Sequence, residues 1–369
     1  MYNVRIASLA CRLPTRHVHN DDFIFARAEP NPAEWWRFWG SESRYMVDPD
    51  AGEAEPTLTE SAARVALELA EVNAGELDLV LFNITSPFIM HADGHRRLAP
   101  RLVHTLRDRL GAKRALVADV DMACARFVLQ LRIAANLIKD GRVKRALVCS
   151  SERMSAVFDY KSNSLTNFGD WAAAAVLVAE PPDPRGANWL KDVYHSDSTH
   201  YDLLTMRWRK AIAESGCDAD ENDGNRFGVC FTLKPDAQEA IARLMPDAIP
   251  GVVACLLNQG GIGTADVDAV VFYQPSALLV RAWGAAFGAR ATSVCDSCRG
   301  LCAPRFCGRP VCTTRVDQKG NLPARIPGGY RRRGRRMELR RSVVALGRER
   351  DQRHPGRLHE SGDRAGSLA

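Results

Sequence analysis

The stretch from Arg114 to Ile138 constrains this chain more than any other. Residues 114–120 read as a short apolar strand, and Phe127, Leu131, Ala134 and Ile138 then recur at helical spacing. Few residues separate the two patterns, so a strand passes into a helix through a sharp turn. Cys124 sits on that turn, at or near the helix N-terminus. Unpaired amides and the helix dipole there favour a thiolate, the nucleophilic form of cysteine. A cysteine at an arbitrary position is more often a small core residue. The residues flanking this one decide for the reactive reading.

The same alternation runs along most of the chain. A helix is expected over 59–72 with Ala62, Val65, Ala66 and Leu69 on one face, then a buried strand over 77–84 and a helix over 99–110. Another strand begins at Arg145. Pro181-Pro182-Asp183-Pro184-Arg185-Gly186 is a breaker cluster suited to a link. Beyond it the pattern resumes with helices over 235–244 and 248–259, a strand over 269–273 and a helix over 276–287. Alternating strands and helices imply α/β layers. We expect one half over 1–180, a second, partial half over 187–290, and residues 291–369 outside the pattern.

Composition narrows the function classes. With 369 residues, 46% of them hydrophobic, the chain can bury a large core. No run of about 18 apolar residues is present, so no membrane span is expected. The N-terminus lacks the basic start and long apolar stretch of a signal peptide, and the cysteines are scattered rather than dense. A cytoplasmic protein is expected. The net charge of +6 invites a nucleic-acid reading, but it comes entirely from the tail. Residues 1–290 carry 32 basic and 37 acidic side chains, residues 291–369 carry 18 and 7. The body is mildly acidic, as suits a metabolic enzyme, and no nucleic-acid partner is expected.

Three landmarks in order resemble the β-ketoacyl-acyl-carrier-protein synthase III family, which has the thiolase fold. The first is the small-residue elbow Met122-Ala123-Cys124-Ala125-Arg126-Phe127, where the family has Ala-Cys-Ser/Ala-Gly-Phe around its acyl-accepting cysteine. The second is a strand ending near a glutamate, Arg145 to Glu152. The third is Phe168-Gly169-Asp170-Trp171-Ala172 followed by an apolar strand, for the family's Phe-Gly-Asp-Gly-Ala. The resemblance covers roughly residues 1–290 and implies a duplicated αβαβα layered fold. It also implies acyl-coenzyme A and acyl carrier protein as substrates, no resident cofactor, and a homodimer.

The remaining site residues follow from the same resemblance. The family's second half carries His-Gln-Ala-Asn at a strand end, and here the stretch is Tyr273-Gln274-Pro275-Ser276. Tyr273 in the histidine's place could donate a hydrogen bond to a developing oxyanion, but with an ordinary pKa near 10 it is a poor base at neutral pH. Packing at the strand end is the alternative. His91, His95, His104, His195 and His200 are other possible substitutes, each more simply a surface histidine. Lys319-Gly320-Asn321 fits the family's Gly-Asn, making Asn321 the third catalytic candidate beside a plain turn. Glu34 to Gly40 lies where the family carries a tryptophan segment contacting coenzyme A. Trp35 or Trp36 could stack on adenine and Arg44 could meet phosphate; an aromatic helix packed on the core is the other reading.

The tail departs from the family. Cys295, Cys298, Cys302, Cys307 and Cys312, and an arginine-rich run near Tyr330, stand where core strands are due. A zinc site, a basic nucleic-acid-binding tail and a shifted reading frame are the three readings. The spacings repeat no defensible zinc pattern, and the abrupt composition change favours the frame shift, so the expectation is no metal, a disordered tail and an incomplete C-terminal core. Together these expectations describe an acyltransferase of condensing-enzyme type in fatty acid or polyketide biosynthesis. A non-decarboxylating acyltransferase of secondary metabolism and a non-catalytic partner subunit are the alternatives.

Overall fold

The computed structural model describes residues 2–29, 31–85, 88–90, 96–98, 102–158, 160–182, 191–196, 198–208, 229–234, 236–267, 270–273, 277–287 and 345–346. Its centre is a five-stranded sheet of β1 (Asn3–Arg12), β4 (Leu79–Phe82), β7 (Leu116–Asp119), β8 (Arg145–Arg153) and β9 (Asp170–Glu180), in the order β1-β9-β8-β4-β7. β4 runs parallel to both β7 and β8, while β9 runs antiparallel to β8 and β1. Two short antiparallel pairs lie outside this sheet, β2 (Arg16–His19) with β3 (Ser43–Met46) and β5 (Phe88–Met90) with β6 (Arg96–Leu98).

Side chains alternate across each strand, so this sheet supplies two cores. Val80, Phe82, Leu147, Cys149, Ala174 and Val176 face helices α2 (Glu55–Ala70) and α3 (Leu102–Leu110). Leu79, Leu81, Ala146, Val148, Ala173 and Leu177 face α4 (Arg126–Lys139). Helices cover both faces, which is the α/β layering expected, and the five strands lie between Asn3 and Glu180. The α4 face is the one read from sequence: Phe127, Leu131, Ala134 and Ile138 are buried. On α2 the face is rotated. Leu58, Ala62, Ala63, Ala66 and Leu67 are buried, and Leu69, expected inside, is exposed.

Asp170 clamps the end of β9. Its carboxylate accepts from the Val47 amide at 2.8 Å and from the Ser155 amide at 2.9 Å. The chain passes so close here that a Cβ on Gly169 would lie 2.8 Å from the Tyr45 carbonyl oxygen. Trp171, where the family pattern has glycine, is buried in the α4 core. Nearby, the short helix α1 (Ala33–Trp39) lays Trp36 into a third core with Phe25, Phe158 and Phe168.

After residue 190 the described elements are β10 (Val193–Tyr194), a hairpin of β11 (Leu204–Trp208) and β12 (Val229–Leu233), helices α5 (Ala237–Gly260) and α6 (Ala277–Ala286), and β13 (Ala345–Leu346), which pairs with β10. Two helices were expected where α5 is continuous, and it contains Pro246 and Pro250. Each proline removes one amide donor, a cost that the packing of Val253 and Leu257 against Val280 and Trp283 of α6 helps to offset. Over 269–273 a strand was expected. Val270 forms a single bridge and Val271–Tyr273 are irregular. Among the described residues one helical stretch, Glu239–Gly260, is long and apolar enough to cross a membrane (mean hydropathy 1.6), contrary to the expectation of none. Arg243, Asp247 and the two prolines interrupt it, and one face packs on α6. Gln274, His91, His95, Asn321, the Cys295–Cys312 cluster and the tail other than β13 lie outside the described residues.

Candidate active site

The elbow expected at Cys124 is present. β7 ends at Asp119, a single 3-10 turn spans Ala123–Ala125, and α4 begins at Arg126. The Ala125 amide closes that turn on the Met122 carbonyl at 3.0 Å, and the Val120 amide ties its start to the Phe82 carbonyl on β4 at 3.0 Å. Phe127, buried on the next position, anchors the turn from the helix side. Cys124 is left exposed and reachable.

Its charge environment differs from the expectation. The protein packed around the thiol and the carboxylate of Glu152 push its pKa up to about 12, against the pull of Arg126, the local backbone and the Tyr273 hydroxyl, which hydrogen-bonds to the sulfur. A helix terminus contributes about 0.3–1 kcal/mol, less than one pKa unit. Desolvation and a nearby anion outweigh it, so in the resting structure Cys124 is a thiol.

The anion belongs to a network that sequence reasoning did not assemble. Arg126 is 4% exposed, and its Nη1 lies 3.3 Å from Oε1 of Glu152, itself 0% exposed. The same Nη1 donates to Oδ1 of Asn83, and Nε is 3.9 Å from the exposed carboxylate of Asp121. Thr85 donates its hydroxyl to Oε2 of Glu152 and its amide, at 3.2 Å, to Oε1 of Glu55. Ser151 donates to the same Glu55 oxygen at 3.1 Å. Burial pushes both Glu55 and Glu152 up to about 7, and each raises or feels the other's charge. Two buried acids, one arginine and their hydroxyl bridges thus form one network that joins the nucleophile's chain neighbour Arg126 to β8 and α2. Glu152 was read only as a strand landmark. The signal for its partner was Arg126 itself, which stands where the family elbow has glycine.

Tyr273 reaches Cys124 from the segment that precedes α6, so the structure brings together two of the expected catalytic residues. Asn321 lies outside the described residues. His104 on α3 and His200 are exposed, and the groups that act on the thiol are Glu152, Arg126 and Tyr273. The expected coenzyme contacts fare differently. Trp36 is 9% exposed and donates Nε1 to Thr166 Oγ1 at 2.8 Å. Arg44 is 0% exposed, with its guanidinium 4.4 Å over the Phe25 ring and 5.5 Å from the Trp36 ring. Both form a buried cation–π stack. Adenine stacking and phosphate contact need an open ring face and an open charge, which neither offers. The partly exposed Trp35, edge-on to Trp39, remains at the surface of α1. Among the described residues no group of three histidine, cysteine or acidic side chains is arranged to hold a metal.

Comparison with known proteins agrees with this architecture. The family described as 3-oxoacyl-[acyl-carrier-protein (ACP)] synthase III matches residues 118–198, the stretch that holds the elbow, β8 and β9. The 2-heptyl-4(1H)-quinolone synthase subunit PqsC of Pseudomonas aeruginosa is 35% identical over 295 residues, covering 79% of this chain and 82% of that one. The β-ketoacyl-[acyl-carrier-protein] synthase III of Ehrlichia ruminantium is 30% identical over 282 residues, covering 76% and 79%. Among solved structures, the priming β-ketosynthase of the R1128 polyketide pathway superposes with a TM-score of 0.62 at 25% identity, covering 79% of this chain and 80% of that one. The 3-oxoacyl-(acyl carrier protein) synthase III of Pseudomonas aeruginosa PAO1 does so at 0.64 and 21% identity, covering 81% and 84%, and speaks for the thiolase fold alone. By its matched stretch, its relatives and its layered core, the chain belongs to the 3-oxoacyl-[acyl-carrier-protein] synthase III family of condensing enzymes.

Proposed function

We propose that this protein is an acyltransferase of secondary metabolism that carries its acyl group on Cys124. The observation that supports this most directly is the exposed Cys124 thiol on its strand-to-helix turn, hydrogen-bonded by the Tyr273 hydroxyl. The thiol attacks the carbonyl of an acyl thioester from coenzyme A or acyl carrier protein. The carbon–sulfur bond to the carrier breaks, and the proton lost by Cys124 leaves on the carrier thiol. An acceptor nucleophile then takes the acyl group and regenerates the cysteine. Tyr273 donates to sulfur or to a developing oxyanion rather than accepting a proton. That favours acyl transfer, or condensation with an acceptor already activated, over the malonyl decarboxylation that the family's histidine assists. The likeness to a quinolone synthase subunit supports a secondary-metabolic product and work within an assembly. The sheet has an edge suited to that. β7 is its last strand, and Leu116 on it is 70% exposed, so a second copy or a related chain can continue the sheet there.

The test is intact-mass analysis after incubation with a panel of acyl-coenzyme A donors. One acyl mass per chain is expected on the wild type and none on Cys124→Ala. The same gain on Cys124→Ala would overturn the assignment. A chain that never acylates, alone or mixed with a related condensing subunit, would favour the non-catalytic partner reading.

A further inference from the structure

Arg126, two residues along the chain from the nucleophile, is joined inside the protein to Glu152, whose charge bears on the Cys124 thiol. Arg126 occupies the first position of α4, where the family elbow has glycine, and is 4% exposed. Its guanidinium is held by Asn83, by Glu152 at 3.3 Å and by Asp121 at 3.9 Å. Glu152 is fully buried. Thr85 satisfies Oε2, but Oε1 receives no hydrogen bond although Arg126 lies beside it. A buried carboxylate oxygen without a donor is costly to keep charged, and protonation of Glu152 removes that charge from the site.

We propose that Arg126 and Glu152 are positioning residues that set the charge state of Cys124 by exchanging which acid holds the proton. In the resting arrangement Cys124 is a thiol, Glu152 a carboxylate and Arg126 its counter-ion. In the reactive arrangement the proton has left the sulfur and Glu152 carries one, so that Arg126 is released to neutralise the thiolate. The number of protons is the same in both, and Cys124, being exposed, exchanges its proton through solvent. This deepens the proposed function and rests on Cys124 as the acyl carrier. Other groups bear on the pair from every packed element. Asp121 and Asp170 on β9 disfavour further negative charge on Glu152, and Glu152 in turn raises Glu55 at the start of α2. Asp121 competes for Arg126, Arg153 on β8 lies near Glu55 and Asp170, and Tyr273 bonds the sulfur. Burial raises Glu152 to about 7, which places its proton uptake in the range where a condensing enzyme works.

The experiment measures the rate of Cys124 alkylation by iodoacetamide against pH in the full chain, with Cys124→Ala as the blank. Glu152→Gln removes the anion and leaves Arg126 to the sulfur, so alkylation at pH 7 rises on the order of tenfold, and the apparent thiol pKa falls by about one unit. Arg126→Gln moves both in the opposite direction. Thr85→Val, a change of similar shape, removes the hydrogen bond that favours the Glu152 carboxylate; it speeds alkylation by about twofold and stands in for Glu152→Gln should that variant not fold. Changes in the same direction for Glu152→Gln and Arg126→Gln, or an unmoved pH profile in Glu152→Gln or Thr85→Val, would overturn the proposal. The probe reads thiol chemistry and not acyl transfer. A chain that shows these shifts yet gains no acyl mass refutes the proposed function and leaves the pair intact.

Discussion

Glu55→Gln should make this protein more stable in mild alkali and hardly change it in acid. Glu55 is 5% exposed at the first turn of α2, and its Oε1 accepts from the Thr85 amide and the Ser151 hydroxyl. Burial, and then the neighbouring Glu152 charge, raise it from 4.5 to about 7, although those two hydrogen bonds and Arg153 oppose the rise. The folded state therefore binds the proton more tightly than the unfolded chain. Stability from this group is full below about 4.5 and is lost as pH climbs through 7. The difference corresponds to roughly 3 kcal/mol at pH 8. Glutamine keeps the shape and the accepting oxygen and never ionises, so the variant should recover up to that amount at pH 8 and under about 1 kcal/mol at pH 5. In a domain of this size that is a rise in melting temperature on the order of 5 °C. Urea and thermal unfolding at half-unit steps from pH 5 to 8, followed by tryptophan fluorescence, would measure it. A stability difference that does not grow with pH, or a variant weaker than wild type at pH 8, would refute the reasoning.

Three further outcomes follow from the geometry. Gly169→Ala places a methyl 2.8 Å from a backbone oxygen and 3.0 Å from the Cβ of Arg44, neither of which is a flexible side-chain end. A loss of about 1–3 kcal/mol in urea unfolding is expected, and an unchanged midpoint would show that the approach is looser than described. Tyr273→Phe removes one hydrogen bond from the Cys124 sulfur, so the thiol pKa rises further and acylation at pH 7 slows by about fivefold, the equivalent of about 1 kcal/mol, without a change in melting temperature. Supplied with labelled malonyl carrier, the wild type should release little carbon dioxide and Tyr273→His more; fast release that persists in Tyr273→Phe would assign that step to another group.

The Cys124 elbow was legible in the sequence because every signal for it is local. Strand, small-residue turn and the Phe127–Ile138 stripe lie within 25 consecutive residues, and the spacing of one apolar face suffices to place a cysteine at their junction. The alternation of strands and helices through residue 180 is legible for the same reason. Where the reading slipped, the deciding force was not local. Leu69 fits the helical period of α2 yet faces solvent, because the approach of the sheet selects which flank of the helix is covered. Prolines at 246 and 250 signal breaks, but packing against α6 keeps α5 continuous.

The state of the nucleophile could be decided only by the tertiary structure. Helix position alone argues for a thiolate at Cys124, and that contribution is present but small. The larger effects come from the protein packed around the thiol, then from Glu152 on β8, with Arg126 on α4 and Tyr273 ahead of α6 opposing them. Glu55, Thr85 and Glu152 are separated by 30 and 67 residues and share no periodicity that would mark them as one network. Trp36 and Arg44 read as surface ligands for a coenzyme until the fold stacks them on Phe25 and buries both. Sequence periodicity determined where a reactive side chain stands. Burial and long-range charge, which depend on what the folded chain brings alongside, decided how readily it gives up its proton.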